Sequence, residues 1–217
     1  MFSSSKASSN YKHPLWRKTL LNKENLFKEL LNNNYFDKIE TILDAGAGDL
    51  TTSKFFQEQG FSVVAIEPRI ESSFENERLK VKKCSIQDFE SDNKFDLVLF
   101  MNVLYHLGEP GKVLKKLANL SSKYLVVDTI VLDHDGDALV FLEEDTNPEG
   151  NSISGGACRP SKGWIINRMS EYGFKLASDL SEKVPNIPSD GESTGQCYQW
   201  DYQRTCGWRR DEMQLKG

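Results

Sequence analysis

Two glycines and one carboxylate are spaced so that together they could bind a ligand that contains a ribose. Gly46 and Gly48 lie in a turn between an apolar, β-branched stretch and an amphipathic one, and glycine lets the backbone approach a ligand closely. The free amides at the start of the helix that follows favour negatively charged groups. Glu67 ends the next apolar stretch, where a carboxylate can accept hydrogen bonds from both ribose hydroxyls. These residues therefore predict a ligand site at the ends of two strands.

The elements that position this site are short apolar runs separated by amphipathic segments. This alternation indicates repeated strand–helix units and a parallel sheet. The predicted strands are residues 41–45, 62–67, 80–84, 95–101 and 124–129, followed by a sixth at 174–180 and a seventh from Cys197 onward. The predicted helices are residues 51–59, 72–78, 111–120 and a last one at 161–173, which Ser161 can cap and Gly173 can end.

The length of the chain fits one α/β domain rather than two. We predict a disordered, Ser-rich tail at residues 1–12 and a single domain at 13–217 that opens with an amphipathic helix at 15–31. Residues 131–160 form an insertion, because a routine connection has only about 2 to 6 residues. We expect this insertion to act as a lid that defines a substrate pocket together with the N-terminal helix and the loop after the fourth strand.

The composition argues against several classes of protein. Hydrophobic residues make up 38% of the chain, charged residues 27%, and the net charge is -5, which is ordinary for a soluble globular protein. No apolar stretch approaches the roughly 20 residues that span a bilayer, and the N-terminus lacks the apolar core of a secretory signal. We therefore expect a cytoplasmic protein without a membrane partner. The four cysteines form no C-x-x-C pair, which argues against zinc and against a disulfide framework.

An acidic segment imitates the ligand spacing of a calcium-binding loop. It contains Asp133, Asp135 and Asp137, with Glu144 further on. The turn glycine is misplaced, however, since Ala138 occupies its proper site. We predict an exposed acidic loop and no bound metal.

At the glycine turn the chain resembles the class I S-adenosylmethionine-dependent methyltransferase superfamily. The first motif of that superfamily is an acidic residue followed by x-G-x-G, which Asp44, Gly46 and Gly48 match, although Leu50 stands where a third glycine is common. A dinucleotide-binding turn would need a glycine where Thr51 lies. The resemblance implies an α/β fold with a Rossmann-like, mostly parallel sheet of seven strands, helices on both faces and an antiparallel last strand.

The resemblance spans residues 41–180 and implies S-adenosylmethionine as the cofactor. It also assigns cofactor-binding roles along the chain. The residues are Asp44, Ala45, Gly46 and Gly48 for the methionine end, Glu67 for the ribose, Ile86, Gln87 and Asp88 for the adenine, and Met101 and Asn102 at the carboxyl end of the fourth strand. In open α/β sheets, ligands bind at this end of the strands.

The run V-L-Y-H-L at residues 103–107 is similar to the loop after the fourth strand in tRNA uridine carboxymethyltransferases and in many small methyltransferases. An oxygen or nitrogen acceptor needs a proton removed as well as an aligned methyl donor. His106 is the candidate base, because imidazole titrates near neutral pH. Its alternative role is structural, as a side chain that bonds a backbone carbonyl and holds the loop. Tyr105 either contacts the cofactor or acceptor, or packs in the core.

Three functions remain open from the sequence. Methylation of a small molecule is favoured by the acidic net charge and the predicted lid. Modification of tRNA or another RNA is suggested by the Y-H-L similarity and by two basic patches, since clustered basic residues bind phosphates. The patches consist of Lys12, Arg17, Lys18, Lys23 and Lys28 near the start of the chain, and of Arg204, Arg209 and Arg210 near its end. A cofactor-binding partner protein without catalysis is disfavoured by the intact motif. The sequence predicts neither the methyl acceptor nor the oligomeric state.

Overall fold

A computed structural model describes residues 24–132, 134–144, 146 and 152–177, together with the backbone of 178–179 and 202–210. The predicted tail at 1–12, the first part of the predicted helix 15–31, Asp133 and the segment around Cys197 lie outside the described residues. Most side chains of the two basic patches lie outside them as well.

Ten strands are described, and eight of them form one sheet. They are β1 (Thr41–Ala45), β2 (Ser62–Ile66), β3 (Phe74–Glu75), β4 (Leu79–Lys82), β5 (Phe95–Met101), β6 (Ser121–Val131), β7 (Leu139–Glu143), β8 (Gly156–Pro160), β9 (Phe174–Asp179) and β10 (Tyr202–Arg210). The order in the sheet is β3-β4-β2-β1-β5-β6-β10-β9, whereas β7 and β8 pair as a separate antiparallel hairpin. Strands β4, β2, β1, β5 and β6 are parallel, and β10 is antiparallel to both of its neighbours. The predicted Rossmann-like sheet with an antiparallel last strand is confirmed.

Two expectations about the crossover after β2 are wrong. The sheet has eight strands rather than seven, because Phe74–Glu75 turns back against β4, and the helix predicted at 72–78 does not form. Every residue of that segment is exposed and Phe74 is its only large apolar side chain, so a helix there would have no apolar stripe to bury. Asn76 instead accepts a hydrogen bond from Leu79 N at 2.9 Å, which forms the turn into β4.

The described helices are α1 at residues 24–32, α2 (Thr51–Glu58), α3 (Pro110–Leu120) and α4 (Lys162–Glu171). The last three agree with the predicted helices to within two residues at each end. Within the described part of the chain, none of the helices combines the length and the apolar character needed to cross a membrane.

Helices cover both faces of the sheet, as predicted. Successive side chains of a strand point to opposite faces, and β5 shows where each face packs. Val98 and Phe100 belong to a cluster with residues of α3 and α4, whereas Leu97 and Leu99 belong to a cluster with residues of α1 and α2. All four side chains are fully buried. The strand ends are therefore the part of the sheet that a ligand can reach.

The β7–β8 hairpin and α4 share one anchor, Ser161. Its Oγ accepts a hydrogen bond from Trp164 N at 3.0 Å, so Ser161 caps the helix as predicted. The same hydroxyl accepts a hydrogen bond from Ala138 N at 3.0 Å and donates one to Gly136 O at 2.6 Å. The hairpin belongs to the predicted insertion at 131–160. Ser161 thus ties the base of the hairpin to the start of α4.

Candidate active site

The glycine turn after β1 lies against the loop that follows β5. Gly46 has a φ of +83°, and a Cβ at this position would lie 2.4 Å from Val103 Cγ2. Its amide donates a hydrogen bond to Ile66 O at 2.9 Å, which ties the turn to the end of β2. Only glycine satisfies both the backbone conformation and the space at this position.

Glu67, the residue after β2, lies beside this turn. Its Oε2 accepts a hydrogen bond from Gly48 N at 3.0 Å, and its Oε1 accepts one from Arg69 N at 3.0 Å. A carboxylate can accept about four hydrogen bonds, so the two amides orient Glu67 and leave it capacity for hydroxyl groups. A ribose-binding role requires this capacity.

Asp44 is the fourth residue of β1, and its side chain is buried against α2. It is 2% exposed, and Ser53 Oγ donates a hydrogen bond to Asp44 Oδ2 at 2.6 Å. Burial raises the pKa of Asp44 to about 6, because the loss of water outweighs the Ser53 hydrogen bond, and the charges of Glu67 and Asp49 raise it further. Asp44 therefore connects the end of β1 to the first turn of α2, and the neighbouring Ala45 is fully buried.

The segment after β4 forms a turn that is held from two sides. Ser85 Oγ donates a hydrogen bond to Asp88 Oδ2 at 2.6 Å, and Asp88 N donates one back to Ser85 Oγ at 3.1 Å. Ile86 is 5% exposed and packs into the core, while Lys116 Nζ of α3 donates a hydrogen bond to Gln87 O at 2.6 Å. The three residues predicted to clasp adenine thus share one turn, on which Gln87 and Asp88 are exposed.

All of these groups lie along one edge of the sheet. Parallel strands end on the same side, and β4, β2, β1 and β5 are neighbours in that order. The adenine turn, Glu67, the glycine turn and Met101–Asn102 therefore follow one another across the edge. Asn102 has a φ of +59° and donates its amide to Asp128 O of β6 at 2.7 Å. The edge fits a nucleoside cofactor, since it offers a turn with glycine at positions 46 and 48 and a carboxylate with spare acceptor capacity.

A 3-10 turn after β5, Leu104–His106, carries both predicted catalytic residues. Tyr105 is 8% exposed, and its ring centroid lies 4.1 Å from that of His106. His106 Nδ1 lies 2.6 Å from Oε2 of Glu144, which directly follows β7. The ring therefore bonds a carboxylate, where the alternative structural role predicted a backbone carbonyl.

Strand β8 docks the hairpin onto this 3-10 turn. Cys158 Sγ donates a hydrogen bond to Leu104 O at 3.3 Å. Gly156 and Gly108 pack backbone to backbone, because a Cβ on Gly156 would lie 2.8 Å from Gly108 Cα. Burial raises the pKa of Cys158 to about 12, so this thiol packs in the interface instead of acting as a nucleophile.

The acidic residues grouped by their spacing have different partners. Asp137 accepts a hydrogen bond from Asn167 Nδ2 at 2.8 Å and pairs with Arg168 at 3.6 Å, whereas Glu144 contacts His106. No group of three or more potential metal ligands assembles among the residues that the structure describes.

Three residues that contact the predicted site were not identified from the sequence. Ser53 bonds Asp44, Lys116 bonds the adenine turn and Glu144 bonds His106. Ser53 lies in the first turn of the helix after the glycine motif, so its position was a usable signal. Lys116 and Glu144 come from distant elements and have no local sequence signal.

Comparison with known proteins supports the predicted superfamily. A family model described as a methyltransferase domain matches residues 16–179. The solved structure of the N-terminal domain of EvdMO1 with S-adenosylhomocysteine bound has a TM-score of 0.64 and 16% identity. That match covers 88% of this chain and 81% of the EvdMO1 domain.

Two further solved structures belong to named methyltransferases. The 1,6-didemethyltoxoflavin-N1-methyltransferase of Burkholderia thailandensis has a TM-score of 0.59 and 15% identity, covering 92% of this chain and 82% of its own. The magnesium protoporphyrin IX methyltransferase of Synechocystis PCC 6803 has a TM-score of 0.58 and 13% identity, covering 91% and 82%.

A search of curated protein sequences found no match to the chain. At the identities of the three structures, the likeness shows the fold alone. The similarity of residues 103–107 to tRNA uridine carboxymethyltransferases stays a prediction. The family match covers most of the chain and confirms the predicted resemblance to the class I S-adenosylmethionine-dependent methyltransferases. The chain therefore belongs to the methyltransferase-domain family, and its fold is that of the class I S-adenosylmethionine-dependent methyltransferases.

Proposed function

We propose that this S-adenosylmethionine-dependent methyltransferase transfers a methyl group to a small molecule, with His106 as the base that takes the acceptor proton. The observation that carries the proposal is the 2.6 Å contact between His106 Nδ1 and Glu144 Oε2, directly after β5. An imidazole held by a carboxylate next to the cofactor edge is suited to general-base catalysis.

In this proposal, different residues of the edge bind different parts of the cofactor. When bound, the cofactor supplies a methyl group that its sulfonium makes electrophilic. Glu67 accepts hydrogen bonds from the ribose hydroxyls, the glycine turn binds the methionine end, and residues 86–88 clasp the adenine. Met101 and Asn102 close the edge on the side of the 3-10 turn. Alignment of donor and acceptor then lowers the barrier, by about 7 to 11 kcal/mol in the best-oriented model systems.

Three observations support a small acceptor. The β7–β8 hairpin packs on the 3-10 turn that carries His106, and a covered base suits a small molecule better than a polymer. The net charge of -5 disfavours a broad contact with nucleic acid. Two of the structurally similar enzymes are named for small substrates, 1,6-didemethyltoxoflavin and magnesium protoporphyrin IX. The hairpin is the lid in this proposal.

The proposal includes a cytoplasmic location and a single domain over residues 13–217. In the described part of the chain, Cys84 and Cys158 are free thiols, which fits a reducing compartment.

A mass-spectrometric screen tests the acceptor class. The protein is incubated with S-adenosylmethionine and either a metabolite extract or an RNA extract, and the products are searched for a gain of one methyl. We expect a methylated metabolite together with an equal amount of S-adenosylhomocysteine. Glu67→Ala is the control, since it should weaken cofactor binding by about 1 to 3 kcal/mol. Modified RNA, with no methylated metabolite, would overturn the small-molecule proposal.

A further inference from the structure

The contact between His106 and Glu144 defines which nitrogen of the imidazole faces the acceptor. Glu144 approaches Nδ1 at 2.6 Å, so Nε2 is the nitrogen left for chemistry. We infer that Glu144 is the positioning residue that holds His106 in the tautomer with its proton on Nδ1 and its lone pair on Nε2. This inference deepens the proposed function and rests on it for the catalytic consequence alone.

Glu144 stays ionised in its half-buried position. Burial raises the pKa of this carboxyl, but the hydrogen bond from His106, the charge that this ring carries when it is protonated, the amide of Ser152 and the charge of Arg159 together bring the pKa below its ordinary value. An ionised carboxylate has no proton to donate. The hydrogen bond to His106 therefore requires that Nδ1 carry the proton.

The carboxylate is itself held in place by the hairpin. Ser152 N donates a hydrogen bond to Glu144 Oε2 at 3.2 Å, and Arg159 Nη2 lies 4.0 Å from Oε1. The Arg159 guanidinium also lies 5.5 Å from the centre of the Tyr105 ring, which in turn contacts His106. These contacts hold the Glu144 carboxylate and the His106 ring from two sides. A substitution of Glu144 therefore acts on His106 directly, through the 2.6 Å contact between them.

The proton balance of the reaction explains why this tautomer matters. The acceptor X–H bond breaks and its proton moves to Nε2, while the electron pair of X forms the bond to the methyl carbon. The bond between that carbon and the sulfonium sulfur breaks, and its electrons stay on sulfur. The imidazolium formed carries a positive charge that faces the carboxylate of Glu144. A ring with its proton on Nε2 could not accept the acceptor proton there.

The ¹⁵N NMR signals of the imidazole nitrogens test the assignment without an activity measurement. The chain has three histidines, so loss of one set of signals in His106→Ala identifies the ring. In the wild-type protein we expect a protonated Nδ1 and an unprotonated Nε2. In Glu144→Leu the proton should move towards Nε2, which free neutral histidine favours. A wild-type His106 protonated on Nε2 alone would overturn the inference.

Kinetics and a matched control complete the test. Glu144→Leu should lower kcat by about 10- to 100-fold, as expected when the partner that orients a functional histidine is removed, with the cofactor KM unchanged. Glu144→Gln, which keeps an accepting oxygen, should restore part of the rate and of the tautomer. Glu143→Gln changes an adjacent, exposed carboxylate and should leave both unaltered.

The two proposals fail in distinguishable ways. If the tautomer responds to Glu144 but no methyl transfer is found, the positioning assignment stands and the proposed function fails. If a folded Glu144→Leu protein keeps the wild-type tautomer, the inference is overturned. If it shows the new tautomer and retains full kcat, the tautomer assignment stands and its catalytic consequence fails. The melting temperature of each variant, with and without S-adenosylhomocysteine, shows that it is folded.

Discussion

The cofactor edge and the acceptor side of this enzyme are built in different ways. At the proposed cofactor edge, the predicted binding groups lie at or just after the ends of β1, β2, β4 and β5, so the order of the sheet brings them together. On the acceptor side, His106 meets Glu144 from a hairpin outside the main sheet, across 38 residues of sequence. An insertion can therefore define the acceptor chemistry without altering the strand order that binds the cofactor, and substitutions on the two sides should separate catalysis from binding.

The largest effect is expected on the acceptor side. His106→Ala should lower kcat by about 10²- to 10⁴-fold, the usual contribution of a positioned proton transfer. Its affinity for S-adenosylhomocysteine should change little, because the ring bonds the hairpin and not the cofactor edge. Steady-state kinetics and calorimetric titration measure the two quantities. A parallel fall in affinity and melting temperature, with a small loss of rate, would instead indicate the structural role.

Gly46→Ala should have the converse effect on the cofactor edge. Its Cβ would lie 2.4 Å from Val103 Cγ2, and overpacking of this kind costs about 1 to 3 kcal/mol. We expect cofactor affinity to fall by about 10- to 100-fold, as that energy implies. Gly60→Ala is the matched control, since Gly60 has a φ of +93° with nothing within 4 Å of its added Cβ. Equal losses of affinity in both variants would mean that backbone strain, and not the crowded turn, is responsible.

Ionisation of Asp44 in the cofactor edge should make the folded protein less stable as the pH rises. Its pKa is about 6 in the folded protein against an ordinary value of 3.8, so the folded state binds more protons between these values. The free energy of unfolding should fall through this window, and Asp44→Asn should raise it at pH 7 by up to about 3 kcal/mol.

Denaturant titrations from about pH 2 to pH 7 measure this slope. Asp96→Asn provides the opposite case. Burial raises the pKa of Asp96, but hydrogen bonds from the Glu40 and Thr41 amides and from Lys123 and the Thr41 hydroxyl lower it overall. Asp96 therefore stabilises the fold above its ordinary pKa and loses this effect on acidification. An Asp44→Asn protein with the wild-type pH slope would show that Asp44 is already protonated at pH 7 or that another group dominates.

The smallest effect concerns the adenine turn. Lys116→Met removes the hydrogen bond to Gln87 O and the ion pair with Glu90, and it should weaken cofactor binding by about 1 kcal/mol. The maximal rate should be unchanged, because the turn is remote from His106 in the order of the sheet. Lys115→Met is the control on the exposed side of α3. A larger loss of cofactor affinity in Lys115→Met would mean that the surface charge of α3, and not the contact with Gln87, is responsible.

The sheet was predictable because its elements are defined by local patterns. The spacing of apolar residues predicted β1 and β5 with the bounds that the structure has, and Ser161 predicted the start of α4. The helix predicted at 72–78 was wrong. This segment has neither the apolar spacing of a helix nor that of a strand, and its turn at Asn76 depends on a side-chain hydrogen bond.

The position of the proposed cofactor-binding residues at one edge of the sheet was predictable for a related reason. Gly46 and Glu67 each follow a strand directly, and parallel strands bring such residues to one edge. Glu144 could not be paired with His106 in this way, because their contact depends on the docking of β8 against Leu104 and Gly108. The spacing of Glu144 from the preceding aspartates led us to predict an exposed acidic loop, whereas Glu144 is half-buried against His106.

Ser161 holds the hairpin and α4 through a single hydroxyl. A hydroxyl donates one hydrogen bond and accepts about two, so the bonds to Gly136, Ala138 and Trp164 use its whole capacity. The end of the hairpin near Ser161 is therefore fixed. If the hairpin opens over His106, the movement must begin at the opposite end, near Glu144. In native-state hydrogen exchange, we expect the Ala138 and Trp164 amides to exchange together as one cooperative unit, because both donate to the same hydroxyl.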